Sequence, residues 1–418
     1  MRDELNGHED TRPTAIERIA APSVEYLCFE GGGGKGIVFL GALVELNRRG
    51  VLRYAGHRLD PDGQIKGIAG SSAGALTAVL LSCGFRPADF QRLLFGGYDF
   101  NRFFDQPAHP APIPALVGRS TDDHAAWTSR VLPGPLSYPL NAVLRRSAGI
   151  GAPTDTLLRK LGSPRLLHYL FNIYRHWGIF SGIAAHELFR ALIARKVAAQ
   201  QGRARRPEDG DITFAEHRRI FRCDLVLTGS NFSTGKTGFF SADTSPKMPV
   251  AAAARISMSI PVAFKPVRID SATAQTFAAP AGHPRNLSAR ALQGVWVDGG
   301  YMNNLPRTAF AHRRGALAKT LSFALHDYGG RPRRIRNFAQ FLGAYAQHAA
   351  FGTGESQSSR STGALEDIVP LIAGDRAFQI DTLDFAFPAT ALPSVMRIVT
   401  AAQQRTSDYF NGVAIPDP

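Results

Sequence analysis

The sequence predicts an α/β fold: a single domain with a central, mostly parallel β-sheet, helices on both faces, and helical or irregular insertions. Two successive units of strand, glycine-rich turn and helix predict it. In the first unit, residues 24–29 form an apolar strand and residues 37–48 repeat apolar side chains at helical spacing. In the second unit, residues 65–69 form the strand and residues 75–83 the helix. Sites in such folds lie at the carboxyl ends of strands, so we expect function at the two turns.

The other predicted elements continue this alternation of helix and strand. Helices are predicted at residues 156–177, 183–200, 249–260 and 391–411, and strands at residues 223–232, 238–243, 294–300 and 377–385. Residues 105–155 carry many prolines and glycines and are expected to be irregular. No internal repeat interrupts this order, which argues for one fold and against an array of small units.

The composition is that of a globular protein with a substantial core: 418 residues, 44% of them hydrophobic and 20% charged. No apolar run reaches the roughly 18 residues that cross a bilayer. The N-terminus is polar and matches neither a signal peptide nor a basic transit peptide. Three cysteines, an odd number, argue against a disulfide framework or a zinc site. We therefore expect a cytoplasmic protein, and export by a route without a cleavable signal stays open.

The formal net charge of +14 favours polyanions as partners, either nucleic acid or an anionic membrane surface. Forty of the 48 basic residues are arginines, a bias that the base composition of a genome also produces. Arginines cluster at residues 203–206 and 331–336, without the RRM, zinc-finger or helix-turn-helix patterns of nucleic-acid proteins. We expect peripheral binding to a membrane surface and no nucleic acid.

Four glycines, Lys35 and a fifth glycine fill the first turn, in the stretch GGGGKG at residues 31–36. Its spacing fits the G-x-G-x-x-G pattern of a dinucleotide site, but no acidic residue ends the next strand to hold a ribose. A phosphate-binding P-loop does not fit, because Gly36 follows Lys35 where serine or threonine is needed. Three interpretations of this turn remain: a backbone shaped to hold a developing oxyanion, a dinucleotide site, and a purely structural turn.

The second turn is GSSAG at residues 70–74, a G-x-S-x-G nucleophile elbow centred on Ser72. A serine on a sharp strand-to-helix turn crowds its neighbours, so Gly70 and Gly74 remove side chains that would collide. The turn exposes the hydroxyl above the sheet, where the helix N-terminus supplies unpaired N–H groups. The pattern alone is common in turns, but its position between strand and helix favours a nucleophile.

A serine needs a base to become nucleophilic near neutral pH. Asp298 is the candidate, because it is an isolated carboxylate at the end of the apolar run VWV and two glycines follow it. A turn aspartate can also bond only its own backbone. The interpretation of Asp298 as a base therefore depends on the elbow upstream.

With these three motifs the sequence resembles the patatin-like phospholipase family. GGGGKG corresponds to the family's oxyanion loop, GSSAG to its nucleophile motif and DGG to its aspartate motif, and the stretches ARISMSIPVAFKPV and NNLP are also similar. The resemblance covers residues 24–310 well and the remainder more loosely. It implies a lipid acyl hydrolase of the phospholipase A or lysophospholipase type, which cleaves membrane phospholipid esters through a dyad of Ser72 and Asp298.

The resemblance also assigns supporting residues. It implies that the N–H groups of Gly32, Gly33 and Gly34 hold the oxyanion, and that Lys35 either adds positive potential or tethers the loop. It implies no cofactor and no metal. The sequence leaves open whether a protein or small-molecule activator is required, and also the oligomeric state.

The chain divides into three predicted regions on this basis. We expect residues 1–20 to be a mobile tail. Residues 21–310 are expected to form the patatin-like catalytic core, in which residues 98–182 are an insertion that serves as a lid or faces a membrane. Residues 311–418 are expected to be a C-terminal extension that packs on the core.

Other interpretations stay open. His326 follows a predicted strand, in the order serine, aspartate, histidine of a Ser-His-Asp α/β-hydrolase esterase. A non-catalytic patatin-like module that senses a lipid or nucleotide is a second alternative, and a dinucleotide-dependent oxidoreductase a third. Residues 165–182 mix aromatic with basic side chains, which suits a membrane interface or a core helix equally.

Overall fold

The structure, a computed structural model, describes most of the chain outside the long insertion. The described residues are 17–96, 98, 100–103, 173–174, 176–278, 287–329, 365–380 and 387–415. Residues 1–16 of the predicted tail, the irregular stretch at 105–155 and the arginine cluster at 331–336 lie outside them. The predicted helix at 156–177 lies outside them except at its C-terminal end.

A sheet of eight strands forms the centre of the described residues. In chain order its strands are β1 Tyr26–Phe29, β2 Gly67–Gly70, β3 Asp224–Asn231, β4 Lys236–Phe240, β5 Val267–Ile269, β6 Gly294–Asp298, β7 Thr320–His326 and β8 Ile368–Ile372. Across the sheet the order is β5, β6, β3, β2, β1, β7, β8, and β4 pairs with β3. The run β3, β2, β1, β7, β8 is parallel, whereas β4, β5 and β6 join through antiparallel pairs. The predicted mostly parallel sheet is confirmed.

Helices link the parallel strands, as parallel pairing requires. The α-helices of the described residues are α1 Phe39–Arg48, α2 Ala73–Ser82, α3 Pro87–Phe95, α4 Ile183–Gln200, α5 Phe214–Phe221, α6 Val250–Ser257, α7 Ser271–Phe277, α8 Ala289–Leu292 and α9 Leu392–Phe410. Short 3₁₀ segments are Ala21–Ser23, Gly33–Val38, Phe100–Phe103, Pro207–Asp211, Gly299–Tyr301, Leu317–Lys319 and Ala389–Ala391. Short strand pairs outside the main sheet are Glu17–Arg18 with Leu365–Glu366, Tyr54–Ala55 with Arg58–Leu59, and Gly178–Phe180 with Val262–Phe264.

Alternate side chains of the parallel strands pack on opposite faces of the sheet. Leu27 and Phe29 lie in the larger core, which α1, α2 and α9 cover. Tyr26 lies in the smaller core, where it stacks on Phe310 with the ring centroids 4.6 Å apart. In the described residues, the turns of residues 305–316 pack on this second face.

The C-terminal region completes the sheet. β7 lies between β1 and β8, inside the parallel run. Helix α9 packs against α1 at Gly41, where an added Cβ would lie 2.1 Å from the Val399 carbonyl oxygen. The chain re-enters the sheet because β1 needs a partner on its second edge. The strand pairing therefore extends the core beyond the predicted boundary at residue 310.

Two local expectations differ from the structure. Residues 17–20, predicted as part of the tail, are held on the core, and the Ile19 N–H donates to the Tyr409 hydroxyl at 3.1 Å. Residues 377–380, the described part of a predicted strand, form no continuous strand. The strand of this region is β8, which contains Pro370. A proline is tolerated there because β8 lies at the edge of the sheet.

Candidate active site

Ser72 lies between β2 and α2, at the N-cap position of the helix. Its φ of 50° and ψ of −119° form a strained conformation that few residues with a side chain adopt. The turn leaves no room for larger neighbours. A Cβ on Gly70 would lie 2.1 Å from the Gly74 carbonyl oxygen, and a Cβ on Gly74 would lie 2.1 Å from the Phe29 carbonyl oxygen. The strand-turn-helix geometry expected of GSSAG is present, and close contact requires both glycines.

Strand register brings Asp298, the last residue of β6, to the level of Ser72. Asp298 pairs with Gly229 on β3. Gly70 pairs with Leu227, which is two residues earlier on that same strand. Ser72, two residues after the end of β2, and Asp298, the last residue of β6, therefore lie at about the same height on opposite sides of β3.

The Asp298 carboxyl group is fully buried and accepts one well-formed hydrogen bond. Its Oδ1 accepts a hydrogen bond from the Gly300 N–H at 2.7 Å, whereas Oδ2 has no well-formed hydrogen bond among the described residues. Burial raises the pKa of Asp298 to about 7, and the Gly300 N–H and the Ser72 hydroxyl, as donors, oppose that rise. The serine is thus close enough to act on the carboxyl group but not yet well aligned, which is common in unliganded sites.

Residues 257–259 tie the serine to the aspartate. The Ser72 N–H donates to the Ser257 hydroxyl at 3.0 Å. The Asp298 N–H donates to the Ser259 carbonyl oxygen at 2.9 Å. The buried Arg255 guanidinium fixes this segment, because it donates to the Ser259 hydroxyl at 2.5 Å and to two backbone carbonyl groups. These bonds offset part of the cost of the strained Ser72 backbone.

The glycine loop lies beside the elbow and begins a 3₁₀ segment at Gly33, whose φ of 56° favours glycine. The first N–H groups of a helix lack intrahelical acceptors. The N–H groups of Gly32, Gly33 and Gly34 donate to no backbone acceptor among the described residues. Gly33 and Gly34 line the same cleft as Ser72. Gly32 faces Leu325, whose Cδ1 would lie 2.5 Å from an added Cβ.

A buried pair, Glu30 and Asn304, holds the start of this loop. The Asn304 backbone carbonyl accepts from the Gly31 N–H at 3.1 Å, and the Asn304 side-chain amide donates to the Gly31 carbonyl at 3.0 Å. The same amide donates to Glu30 Oε1 at 3.1 Å, and Glu30 Oε2 accepts from the Leu325 N–H at 2.6 Å. Burial raises the pKa of Glu30 to about 7 against these donors. A Cβ on Gly31 would lie 2.9 Å from the Ser72 Cβ, so the clamped loop packs directly on the serine.

Replacement of Asn304 tests whether this pair positions the glycine loop. We expect Asn304→Ala to lower kcat on a water-soluble ester by about tenfold to a hundredfold with little change in KM, because a small displacement of a group that stabilises the transition state costs about that much. Asn303→Ala is the matched control, since it removes a neighbouring side-chain amide whose Oδ1 is buried without a hydrogen-bond partner among the described residues. Equal losses in the two variants would contradict the positioning role of Asn304.

Lys35 points toward the end of a neighbouring strand. Its Nζ lies 2.6 Å from Oδ1 of Asp327, the residue that follows β7. The carboxylate neutralises the charge of the ammonium group. Of the two roles left open by the sequence, this geometry supports a tether between the glycine segment and β7.

Ser72 lines an apolar cleft of about 840 Å³, a volume that includes space open to solvent. The apolar side chains of the cleft come from α1, α2, α3 and their flanking segments, from the residues after α6 and from the segment before α9: Ile37, Phe39, Leu40, Leu76, Leu80, Phe90, Leu93, Leu94, Phe100, Phe103, Met258, Ile260 and Phe387. Among the described residues that line it, only Ser72 and Thr77 have polar side chains. The Thr77 hydroxyl is already bonded to the Ala73 carbonyl oxygen at 3.2 Å. The cleft therefore suits an uncharged, apolar ligand whose polar end reaches the serine.

His326 lies apart from the pair of Ser72 and Asp298. It is the last residue of β7, and four strand spacings separate β7 from β6, which carries Asp298. At about 4.8 Å for each spacing, the distance is about 19 Å. The hydrogen bond between aspartate and histidine that a triad requires cannot span this distance.

In the described part of the chain, no three histidine, cysteine, aspartate or glutamate side chains are grouped to hold a metal ion. That the site works without a metal or cofactor stays a prediction. Within the same residues, no helix is long and apolar enough to span a membrane.

Together, the sheet and the turn define a class of protein: an α/β protein with a serine at a sharp strand-to-helix turn. A sequence profile identifies the class more closely. The profile of the patatin-like phospholipases matches residues 27–311, more than half of the chain. The chain belongs to the patatin-like phospholipase family. No curated protein sequence matches it significantly.

Solved structures that are similar to this chain include two bacterial proteins and one human enzyme. VipD from Legionella pneumophila is 15% identical, over 93% of this chain and 67% of VipD, with a TM-score of 0.47. ExoU, in its complex with SpcU from the type III secretion system of Pseudomonas aeruginosa, is 19% identical, over 94% of this chain and 52% of ExoU, with a TM-score of 0.35. Human GIVD cytosolic phospholipase A2 is 10% identical, over 94% of this chain and 60% of the enzyme, with a TM-score of 0.34. This chain spans about two thirds of VipD and about half of ExoU.

Sequence reasoning missed the residues that support the site. These are Glu30, Arg255, Ser257, Ser259 and Asn304, all of them buried. A signal for four of them was present, because they lie in ARISMSIPVAFKPV and NNLP, the stretches that resemble the family. What a single sequence lacks is the distant partner of such a side chain, as Ser72 is for Ser257 and Glu30 is for Asn304.

Proposed function

We propose that this protein is a serine-dependent lipid acyl hydrolase of the phospholipase A or lysophospholipase type. The observation that carries the proposal is the apolar cleft in whose lining Ser72 lies. Such a cleft accepts a fatty acyl chain and disfavours a sugar or nucleotide, since their polar groups would be buried without partners. Membership of the patatin-like phospholipase family supports the same class of substrate.

In the proposed reaction, Ser72 and Asp298 act as a dyad. Asp298 accepts the hydroxyl proton as the Ser72 oxygen attacks the ester carbonyl carbon. The N–H groups of Gly32, Gly33 and Gly34 stabilise the carbonyl oxygen as it becomes negative, an effect that is worth about 3–4 kcal/mol for one donor elsewhere. The leaving alcohol takes the proton from Asp298. Water, deprotonated by Asp298, then attacks the acyl-serine. The bond between the acyl carbon and the Ser72 oxygen breaks, the fatty acid is released, and Asp298 returns the proton to the Ser72 oxygen.

The raised pKa of Asp298 supports its role as the base. A carboxyl group of ordinary pKa is a weak base for a serine hydroxyl, whereas a pKa of about 7 lies near the operating pH. Direct transfer without an imidazole is supported by the closeness of the Ser72 hydroxyl to the Asp298 carboxyl group, on whose pKa it acts as a hydrogen-bond donor. We further infer that the protein meets its substrate at the surface of anionic membranes, since its net charge is +14.

Two readouts test this function. Vesicles that contain phosphatidylcholine, phosphatidylethanolamine and phosphatidylglycerol are incubated with the protein, and mass spectrometry identifies the released lipids. We expect free fatty acid together with lysophospholipid. In parallel, a fluorophosphonate is expected to label Ser72 in the absence of any lipid. Release of a phosphorylated head group, or labelling of another residue with Ser72 unmodified, would contradict the proposal.

A further inference from the structure

Two exposed apolar residues, Trp177 and Val262, lie side by side on strained backbone. Trp177 has a φ of 60° and is 47% exposed, and Val262 has a φ of 69° and is 50% exposed. They are neighbours because Gly178, the residue after Trp177, pairs with Val262. The left-handed region is costly for bulky and β-branched residues, and exposure of an apolar side chain adds no stability.

Strain of this kind persists only where the surrounding structure holds it, and it is concentrated at functional sites. In the residues that the structure describes, positive φ at a residue other than glycine occurs also at Ser72 and Arg222. Ser72 is the proposed nucleophile. The pairing of two such residues at one exposed, apolar position therefore points to a second functional element.

The surroundings of the pair combine aromatic and cationic groups. The Arg268 guanidinium lies over the Trp177 ring, 4.0 Å from its centroid. Tyr174 lies one helical turn before Trp177 and is 82% exposed. We call Tyr174, Trp177, Val262 and Arg268 the Trp177 patch. Its position is beside the cleft, because Val262 is two residues from Ile260, which lines the cleft wall.

We propose that the Trp177 patch is the surface that inserts into the interfacial layer of an anionic bilayer. Tryptophan and tyrosine prefer the boundary between acyl chains and head groups, and a valine at the same level adds apolar area. Arg268 on the Trp177 ring presents a cation at the height of lipid phosphates. The net charge of +14 complements the same surface. The choice of a lipid as the ligand of the patch rests on the proposed function. The exposure and the backbone strain of the patch are observed independently of that function.

Asparagine substitutions test the patch without damage to the fold. Asparagine tolerates positive φ, so Trp177→Asn and Val262→Asn should be at least as thermally stable as the wild type. Each should bind vesicles of equal parts phosphatidylcholine and phosphatidylglycerol about tenfold more weakly, because each loses one inserted apolar side chain. Val413→Asn is the matched control, since Val413 is also exposed, at 49%, but lies outside the patch. It should bind vesicles as the wild type does.

Insertion itself is measured by the fluorescence of Trp177. The chain has three tryptophans; Trp296 is buried, and a Trp127→Phe background removes the third. Vesicles that carry brominated acyl chains should quench the Trp177 emission, and Trp177→Asn should abolish that quenching. Vesicle binding by Val262→Asn equal to that of the wild type, together with no quenching, would overturn the proposal. So would a wild-type dimer that Val262→Asn dissociates without a change in vesicle binding, which would assign the patch to a protein partner.

Hydrolysis of a short, water-soluble ester separates this proposal from the proposed function. The patch variants should retain that hydrolysis and lose turnover of vesicle phospholipid. If the wild type binds vesicles through the patch but hydrolyses neither ester, the proposed function fails and the membrane surface stands. If all variants hydrolyse vesicles equally well, the patch fails and the hydrolase stands.

Discussion

Ser72→Ala is expected to lower the turnover of a water-soluble ester by about 10⁵- to 10⁶-fold, the loss typical of a removed serine nucleophile. The fold should be unchanged, because the Ser72 backbone N–H, which bonds to Ser257, is retained. Vesicle binding should also persist, since the Trp177 patch is intact. The measurement is steady-state hydrolysis alongside a thermal melt and a vesicle co-sedimentation assay.

Ser71→Ala is the matched control for this loss. Ser71 precedes the nucleophile in the same turn and is equally buried, and its hydroxyl has no hydrogen-bond partner in the described residues. The substitution removes one hydroxyl oxygen in each case. Turnover by Ser71→Ala should therefore remain close to that of the wild type. Comparable losses in the two variants would mean that the turn, and not the Ser72 hydroxyl, is what hydrolysis requires.

Asp298→Asn is expected to lower kcat/KM by about 10³- to 10⁴-fold, because the amide cannot accept the serine proton. The wild-type kcat/KM should rise with pH through about 7, since only the deprotonated carboxyl group is a base and burial raises the pKa of Asp298 to about 7. The residual activity of Asp298→Asn should lack that rise. A rise that persists in the variant would assign it to another group, and Glu30, whose pKa is also about 7, would be the first to examine.

The raised pKa of Asp298 makes the free energy of unfolding fall with pH, whereas it makes activity rise with pH. The folded state holds the Asp298 proton more tightly than the unfolded state does, so this contribution is fully present below about pH 4 and is lost as pH rises through about 7. The amide side chain of Asp298→Asn does not titrate in this pH range. The thermal unfolding temperature of the variant should therefore fall less than that of the wild type between mildly acidic and mildly alkaline pH.

The residues of the proposed catalytic pair can be picked out from the sequence because each is specified locally. Gly70 and Gly74 are demanded by contacts within a few residues of Ser72 or with the adjacent strand. Asp298 stands out because a carboxylate at the end of an apolar strand has no local reason to be buried. Parallel strand order then brings the two turns to one edge of the sheet.

The support of the site was not predictable in the same way. Ser257 and Asn304 are small polar residues in apolar stretches. The neighbouring sequence does not indicate that Ser257 bonds to Ser72 or that Asn304 bonds to Glu30. The place of β7 inside the sheet depends likewise on pairing with β1, distant in sequence. Such contacts form only when the chain has folded. A single sequence shows which residues are present but not which of them pair.

The central claim, a dyad of Ser72 and Asp298 that needs no histidine, is tested most directly by one comparison. It is kcat/KM on a water-soluble ester, across the neutral pH range, for Asp298→Asn and His326→Ala. The account predicts near-abolished activity for Asp298→Asn, and wild-type activity with an unchanged pH profile for His326→Ala. Substantial activity in Asp298→Asn, with loss of activity in His326→Ala, would contradict the dyad and support a triad.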